Sequence, residues 1–446
     1  MIEVVGIEDG GWALLPAHLR QLVADADVVV GGRRHLDLLP PVEGQDRLTW
    51  PRPLREGLRE LLGRAHAASD AHDVREDASG HVVVLASGDP LRSGVATTLI
   101  DEFGAGAVRV HPAVSSETLA RARMGWAAED VDVVTTVGRS IERVRPFVTP
   151  GARLVVLCSD ARGPAELAAE LVAWGAGASH LTAWWHLGGP DEGALRAAAD
   201  DWQDAQAAHE ASVPDLVLVC VEVAAALAVE HVVGTVPGRD ETWFGNDGLI
   251  TKRDVRAAAL ARLRPTRGAL LWDLGAGSGA VGIEWALAAA DARTVAVERD
   301  PVRAGRAREN ARALGVDHRV DIVESAVDDF VGHAVRGLDD LAVSRGADGA
   351  PSRPGSVRRV APDAVFFGGG LSDEALRGAL EALRPGGRLV AHAVTLESES
   401  ILLDAWRTHG GDLTRLAVEH LEPLGRLHGW RPARAVVQWS HAKDLT

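Results

Sequence analysis

The sequence predicts two α/β units in one chain, each a mainly parallel sheet flanked by helices. Three observations predict it. Short, wholly apolar runs alternate with helical patterns through the first half, as in "MIEVVG", "ADVVV" and "HVVVLAS", the rhythm of βαβ units. The same alternation starts again after residue 248. Between the two series lies Gly234 to Gly248, "GTVPGRDETWFGNDG", rich in glycine and charge and poor in periodic structure. A chain of 446 residues exceeds one ordinary domain. The expected division is a first domain over 1–233, a linker over 234–248 and a second domain over 249–446.

In the first domain, strands are expected at Met1–Gly6, Ala26–Val30, Val82–Ala86, Val131–Val137, Arg153–Cys158 and Asp215–Val223. Helices are expected at Ala17–Asp25, Leu54–His66, Arg92–Glu102 and Ala165–Trp174, where apolar residues recur at helical spacing. Whether the later part adds antiparallel strands is left open. In the second domain, helices at Lys252–Leu263, Ala280–Ala289 and Pro301–Leu314 alternate with strands. Those strands are Ala269–Asp273, Thr294–Glu298, Val320–Val323, Ala364–Phe367 and Arg388–Ala393, the order of a doubly wound open sheet. A mobile insertion is expected at 331–360, whose second half is rich in Gly, Ser, Pro and Arg.

Composition narrows the function. With 46% hydrophobic and 25% charged residues, the chain reads as soluble and globular. Its formal net charge of −16 argues against a nucleic-acid partner. Two cysteines, Cys158 and Cys220, supply neither a disulfide framework nor a zinc ligand set. No metal site is expected, because the histidines lack metal-ligand spacing. There is no signal-peptide pattern and no run of 18 apolar residues, so a cytoplasmic protein without a membrane span is expected.

The most informative stretch is "LWDLGAGSGAVGIEW", Leu271 to Trp285. Gly275, Gly277 and Ala280 match a dinucleotide fingerprint, with Glu298 about 20 residues on. Two features move the reading from a dinucleotide to S-adenosylmethionine. Asp273, at the strand end, would face a pyrophosphate at a repulsion of roughly 4 kcal/mol in an effective dielectric near 20. The donor's sulfonium and ammonium groups would instead be attracted. Gly279 extends the run to G-x-G-x-G and lets the backbone lie flat beneath the ligand. Glu298 then suits two ribose hydroxyls, and Ser325 with Ala326 an adenine edge. Gly368, Gly369 and Gly370 close the fourth strand facing the reacting group. Thr251 stands before the first helix, where capping is the plain alternative. A glycine turn without ligand is the plain alternative for the loop itself. The order of strand, acid, glycines, helix and second acid argues against it.

"GLITKRDVRAAALARLRP", "LWDLGAGSGAVGIEWA", "AVERDP", "ESAVDDF" and "PDAVFFGGG" resemble the decarboxylating precorrin methyltransferases of cobalamin biosynthesis. The resemblance spans Gly238 to Trp439. It implies a Rossmann-like class I S-adenosylmethionine-dependent domain in which Thr251, Gly275, Ala276, Gly277, Ser278, Gly279, Glu298 and Ala326 line the donor pocket.

The first half resembles the tetrapyrrole (corrin and porphyrin) methylase family, in its precorrin-6Y branch. The residues that carry this are "VVGIEDGGWALLP", "ADVVVGGRRHLDLLP", "ASGDPLRSGV", "HPAVSSETLARARMGW" and "LTAWWHLGGPDE". The resemblance implies two lobes, about 1–111 and 112–233, with a second donor site at Gly88, Asp89, Arg92, Ser115 and Ser116. On the tetrapeptide alone, Ser87 to Pro90 would read as an ordinary turn. The chain departs from the family in its first loop, where "GIEDGG" stands for Gly-x-Gly-Pro-Gly. It departs again at Trp184, Trp185 and His186, for which packing is the assumption. The implied substrate is a polycarboxylate tetrapyrrole, so Arg33 and Arg34 are candidate carboxylate ligands, with a solvated loop as the alternative.

Together the halves resemble a fused pair of methyltransferases. The resemblance implies methylation of carbons 5 and 15 of a precorrin, loss of carbon dioxide from the ring C acetate, and a homo-oligomer. The sulfonium is already an activated electrophile and the macrocycle an electron sink. Neither a covalent nucleophile nor a metal is therefore expected, and no catalytic side chain is assigned. Two other readings stay open: an RNA or small-molecule methyltransferase fused to a tetrapyrrole-binding domain, and a fusion with one active donor site.

Overall fold

The computed structural model describes residues 1–51, 54, 57–63, 82–92, 94–209, 214, 217–336 and 361–445. The chain divides into two compact units. Unit 1 comprises Met1–Val137 and Pro150–Val229; unit 2 comprises Gly138–Thr149 and Glu230–Thr446.

Unit 1 holds two five-stranded sheets. The first contains β1 (Ile2–Ile7), β2 (Val28–Gly31), β3 (Asp46–Thr49), β4 (Val82–Ser87) and β5 (Val108–His111). Its order is β3-β2-β4-β1-β5 and every pairing is parallel. Alternation explains why its central strands read as unbroken apolar runs. Val4, Val28, Val30, Val82 and Val84 pack on one face with Ala96 and Leu99 of the helix Val95–Phe103. Val5, Ile7, Val29, Val83 and Leu85 pack on the other with Leu19 and Val23 of the helix Ala17–Ala24. Each such burial stabilises by about 1.5–3 kcal/mol. The second sheet contains β6 (Asp132–Thr135), β7 (Arg153–Leu157), β8 (His180–Trp185), β9 (Gly193–Ala198) and β10 (Val217–Glu222). It runs β6-β7-β10-β8-β9, and only β6 and β7 pair in parallel. That answers the question of antiparallel strands.

Unit 2 is built on one seven-stranded sheet. Its strands are β11 (Leu270–Leu274), β12 (Arg293–Glu298), β13 (Val320–Glu324), β14 (Ala364–Phe367), β15 (Arg388–Ala393), β16 (Asp412–Leu416) and, after the hairpin, β19 (Val436–Ala442). The hairpin itself is β17 (Glu419–Leu424) with β18 (Leu427–Pro432). The order β13-β12-β11-β14-β15-β19-β16 is parallel up to β15, and both pairings of β19 are antiparallel. Chain direction therefore reverses its winding between β11 and β14. In such sheets ligands bind in the crevice at that point, beyond the strands' carboxyl ends.

The structure corrects two boundaries. Gly234 to Gly248 is not a free connection. Phe244 and Arg239 are buried, Phe244 within a core cluster beside Ile283 and Ala307. Fixed polar contacts to Glu284 hold this stretch down, which composition could not reveal. The expected insertion at 331–360 also begins too early. The helix Val327–Arg336 continues past residue 331, and Val331 packs with Phe330 in the core. Residues 337–360, and parts of the helix expected at Leu54–His66, lie outside the described residues. No helix among the described residues is long and apolar enough to cross a membrane.

Candidate functional site

In unit 2 the strand ends bring the glycine loop, Glu298 and the 368–370 loop together. Gly275, Gly277 and Gly279 have φ of +70°, +57° and +76°, a region that side chains other than glycine rarely adopt. At Gly275 a Cβ would also meet Gly369 Cα at 2.7 Å. The Gly275 turn and the Gly368–Gly370 turn thus lie backbone to backbone, tied by Gly368 N–H donating to Leu274 O at 2.8 Å. This is the crevice between β11 and β14. A Cβ on Gly277 would stand 3.5 Å from Leu249 O, so the segment leading to Thr251 borders the same loop.

Glu298 is buried at the end of β12. Its Oε2 accepts from Gly277 N–H at 2.8 Å and its Oε1 from Asp300 N–H at 2.9 Å. A carboxylate has about four acceptor positions, so both oxygens retain capacity for hydroxyl donors. Ser325 N–H donates to Glu298 O at 3.2 Å, which sets Ser325 and Ala326 beside it. Asn310 bridges Gly245 and Ser278 from the helix Pro301–Ala313: its amide donates to both carbonyls, at 3.0 and 2.9 Å.

Two expectations in unit 2 change. Asp273 does not face a ligand. It is 1% exposed, and its Oδ2 accepts from Gly282 N–H at 2.8 Å beneath the loop. Burial, with a smaller push from Glu298, raises its carboxyl to about 7. Among the described residues its Oδ1 has no hydrogen-bond partner. Thr251 is not the helix cap either. Lys252 holds that position with no side-chain cap, and the Thr251 carbonyl accepts from Arg256.

In unit 1 a cavity of about 390 Å³ opens at the carboxyl ends of β1 and β4 and beyond β5. Gly6, Glu8, Asp89, Val114, Ser115 and Thr118 help line it. Gly88 has φ +50°, and a Cβ there would stand 3.0 Å from Ser115 Cα. A Cβ on Gly6 would run into the Gly88 carbonyl. Three loops therefore meet with no room for side chains. Asp89 Oδ1 accepts from Leu91 N–H at 2.9 Å, and Ser115 Oγ caps the helix Ser116–Met124 by accepting from Thr118 N–H at 3.2 Å.

The other expected residues fall outside this cavity. Arg92 is paired with Glu117 at 2.7 Å, and Ser116 is exposed. Sequence reasoning missed Glu8, Thr118 and the Pro112–Val114 backbone. Glu8 carried one available signal, an acid inside a strand-end loop.

Arg33 and Arg34 begin the short helix Arg33–Asp37 and have different surroundings. Arg33 is exposed. Arg34 Nη1 donates to Asp9 Oδ1 at 2.8 Å. Asp9 Oδ2 also lies 3.0 Å from His186 Nδ1, so His186 has polar work beyond the assumed packing.

The family model of tetrapyrrole (corrin/porphyrin) methylases matches residues 1–201, and the model of the precorrin methyltransferase domain matches residues 242–336 and 333–443. A Sinorhizobium protein named precorrin-6Y C(5,15)-methyltransferase (decarboxylating) is 38% identical over 443 residues, covering 99% of this chain and 96% of its own. The chain belongs to the precorrin-6Y C(5,15)-methyltransferase (decarboxylating) family. Like that family, it joins two domains that also match separate proteins. A Salmonella typhimurium protein named cobalt-precorrin-7 C(5)-methyltransferase is 34% identical over 178 residues, 40% of this chain and 80% of its own. Another from that organism, named cobalt-precorrin-6B C(15)-methyltransferase (decarboxylating), is 30% identical over 220 residues, 46% of this chain and 100% of its own.

Proposed function

We propose that this chain methylates a precorrin-6 macrocycle at carbons 5 and 15 and removes the ring C acetate carboxyl as carbon dioxide, giving precorrin-8 in cobalamin biosynthesis. Each unit uses its own S-adenosylmethionine: unit 1 for carbon 5, unit 2 for carbon 15 and decarboxylation. The observation that carries this reading is similarity along nearly the whole length of a C(5,15)-methyltransferase. Separate C(5) and C(15) relatives, each covering under half of the chain, support the division.

The residues fit the donor. In unit 2, Gly275 to Gly279 leave a side-chain-free cradle, Glu298 has acceptor capacity for the ribose hydroxyls, and Thr251 and Ala326 border them. In unit 1, Gly88, Asp89 and Ser115 meet at the cavity, whereas Arg92, paired with Glu117, and the exposed Ser116 fall outside it. When bound, the donor supplies an activated methyl group. The chain's part is to hold the macrocycle carbon in line with it and exclude water. Arg34 is engaged by Asp9, so in unit 1 the role of carboxylate anchor narrows to the exposed Arg33. In unit 2, separately, Gly368, Gly369 and Gly370 are the substrate-facing turn.

We also place the chain in the cytoplasm and in a homo-oligomer. The buried, unpaired thiols of Cys158 and Cys220 suit a reducing compartment. The hairpin β17–β18 exposes Leu421 opposite Trp430 and Leu424 opposite Leu427, and an isolated two-stranded hairpin is marginal in water.

Mass spectrometry of the products, alongside equilibrium dialysis of the donor, tests the reading. Two donors bound per chain, two methyl groups gained and one carbon dioxide lost are expected. One donor per chain, or one methyl gained, would sink it.

A further inference from the structure

A polar network crowns the carboxyl ends of β2, β4 and β1, and no role assigned above absorbs it. Ser87, the last residue of β4, has its Oγ 2.9 Å from His35 Nε2. Arg34 Nη2 reaches both, donating to Ser87 Oγ at 3.1 Å and lying 2.9 Å from His35 Nε2. Asp9 fixes the far end of Arg34 at 2.8 Å, and His186 fixes Asp9 at 3.0 Å. His186 does so at φ +48°, a conformation costly for a residue other than glycine. The network flanks the unit 1 cavity: Asp9 adjoins Glu8 and Ser87 precedes Gly88–Asp89, and Glu8 and Asp89 both line it. Ser87 is exposed there.

The protonation pattern follows from the partners. Arg34 has only hydrogens to offer, so His35 Nε2 must carry a lone pair. Burial and the Arg34 charge push the His35 imidazole down to about 4, against a smaller opposing effect of Asp9. His35 is therefore a neutral acceptor throughout neutral pH, its one Nε2 lone pair shared between Arg34 Nη2 and the Ser87 hydroxyl. Asp9, Arg34 and His186 are the charged or titratable groups around this pair.

Replacing hydrogen by methyl on a bridge carbon releases one proton. The new C–C bond forms as the donor's S–C bond breaks, and the C–H bond then gives its electron pair back to the conjugated ring. The methylated ring cation is a strong carbon acid, so a weak base suffices. We propose that the Ser87 hydroxyl takes this proton in unit 1 while passing its own to His35 Nε2, whose lone pair Arg34 Nη2 gives up as the proton arrives, with Arg34, Asp9 and His186 as positioning residues. His35, acidified by Arg34, releases the proton to water as the product leaves. This inference rests on the carbon 5 methylation proposed above.

The test uses the full chain, with precorrin substrate carrying hydrogen or deuterium at carbon 5. Ser87→Ala and His35→Gln are expected to lower kcat for carbon 5 methylation about 100-fold, at the lower end of general-base contributions. Donor binding should be unchanged, and a normal primary isotope effect absent from the wild type should appear. Ser87→Thr should restore the rate. Wild-type rates in both variants would overturn the inference. So would loss of rate together with donor affinity and no isotope effect, which marks a structural role. A wild-type chain that never methylates carbon 5 would instead overturn the proposed function, and the inference with it.

Discussion

Glu284 and Arg256 form an ion pair inside unit 2 with both side chains fully buried, Arg256 Nε 3.2 Å from Glu284 Oε1. Glu284 also accepts from the backbone N–H groups of Gly238 and Arg239 at 2.8 and 2.9 Å, and Arg256 donates to the carbonyls of Thr251 and Arg239. One carboxylate on the helix Ala280–Ala288 therefore holds down the whole stretch leading to Thr251. Removing one partner of a buried pair typically costs about 3–5 kcal/mol, because the other charge stays buried and alone. Glu284→Ala should lower unit 2 stability by about that amount, read from urea unfolding. Equal midpoints for variant and wild type would show that the pair contributes nothing.

Asp273 gives a pH dependence of definite sign. Its folded pKa of about 7 lies above the ordinary 3.8, chiefly through burial. The folded chain thus holds this proton more tightly than the unfolded chain does. Stability from this group is fully present below 3.8 and is lost as pH rises through about 7. Asp273→Asn cannot ionise. Without donor, the Tm of the variant minus that of wild type should grow more positive from pH 5 to pH 8. A flat or falling difference would contradict the raised pKa. His318 and His392, both pushed down to about 4 mainly by burial, act at the acid side. Their contribution is present above 6.5 and lost as pH falls through about 4, in variant and wild type alike, so the difference measurement cancels them.

The hairpin predicts assembly. Leu427 is 73% and Trp430 67% exposed, opposite Leu424 and Leu421 respectively, so each face of the hairpin shows an apolar pair to water. Leu424→Glu with Trp430→Glu should lower the mass seen by light scattering to that of one chain, while each unit keeps its fold. An unchanged oligomer would place the interface elsewhere, and a wild-type monomer would remove the proposal.

What could be read in advance follows from burial and distance along the chain. β4 and β14 were legible because both faces of each are covered, which leaves runs of Val, Leu and Phe without polar breaks. β9, "GALRAA", half-buried on one face and mostly exposed on the other, carries no such mark. Gly275 and Gly277 were legible because their backbone demands glycine. The pairing of Asp9 with Arg34 was not, since 25 residues separate them and a clamped arginine is spelled like a free one. Asp273 was read as a ligand-facing acid because its position at the strand end was right. Only the fold shows that its side chain turns under the loop to Gly282.

Substitution at Glu298 tests the proposal of two donor sites. Both its oxygens accept backbone N–H groups, so Glu298→Ala would loosen the Gly277 turn as well as remove an acceptor. Glu298→Gln keeps one carbonyl oxygen and the shape of the side chain. It replaces the other acceptor with an NH2 that can receive neither a hydroxyl proton nor the backbone N–H of Gly277 or Asp300 now held there. A hydrogen bond to a charged group contributes about 1.5–3 kcal/mol, so donor affinity in unit 2 should fall about 10- to 100-fold. Calorimetry should then resolve two classes of donor site, with the unit 1 constant unchanged from the wild type. Carbon 15 methylation and decarboxylation should fall together while carbon 5 methylation persists. Equal loss at both carbons in a folded variant would mean that the glycine loop of unit 2 does not serve one site alone.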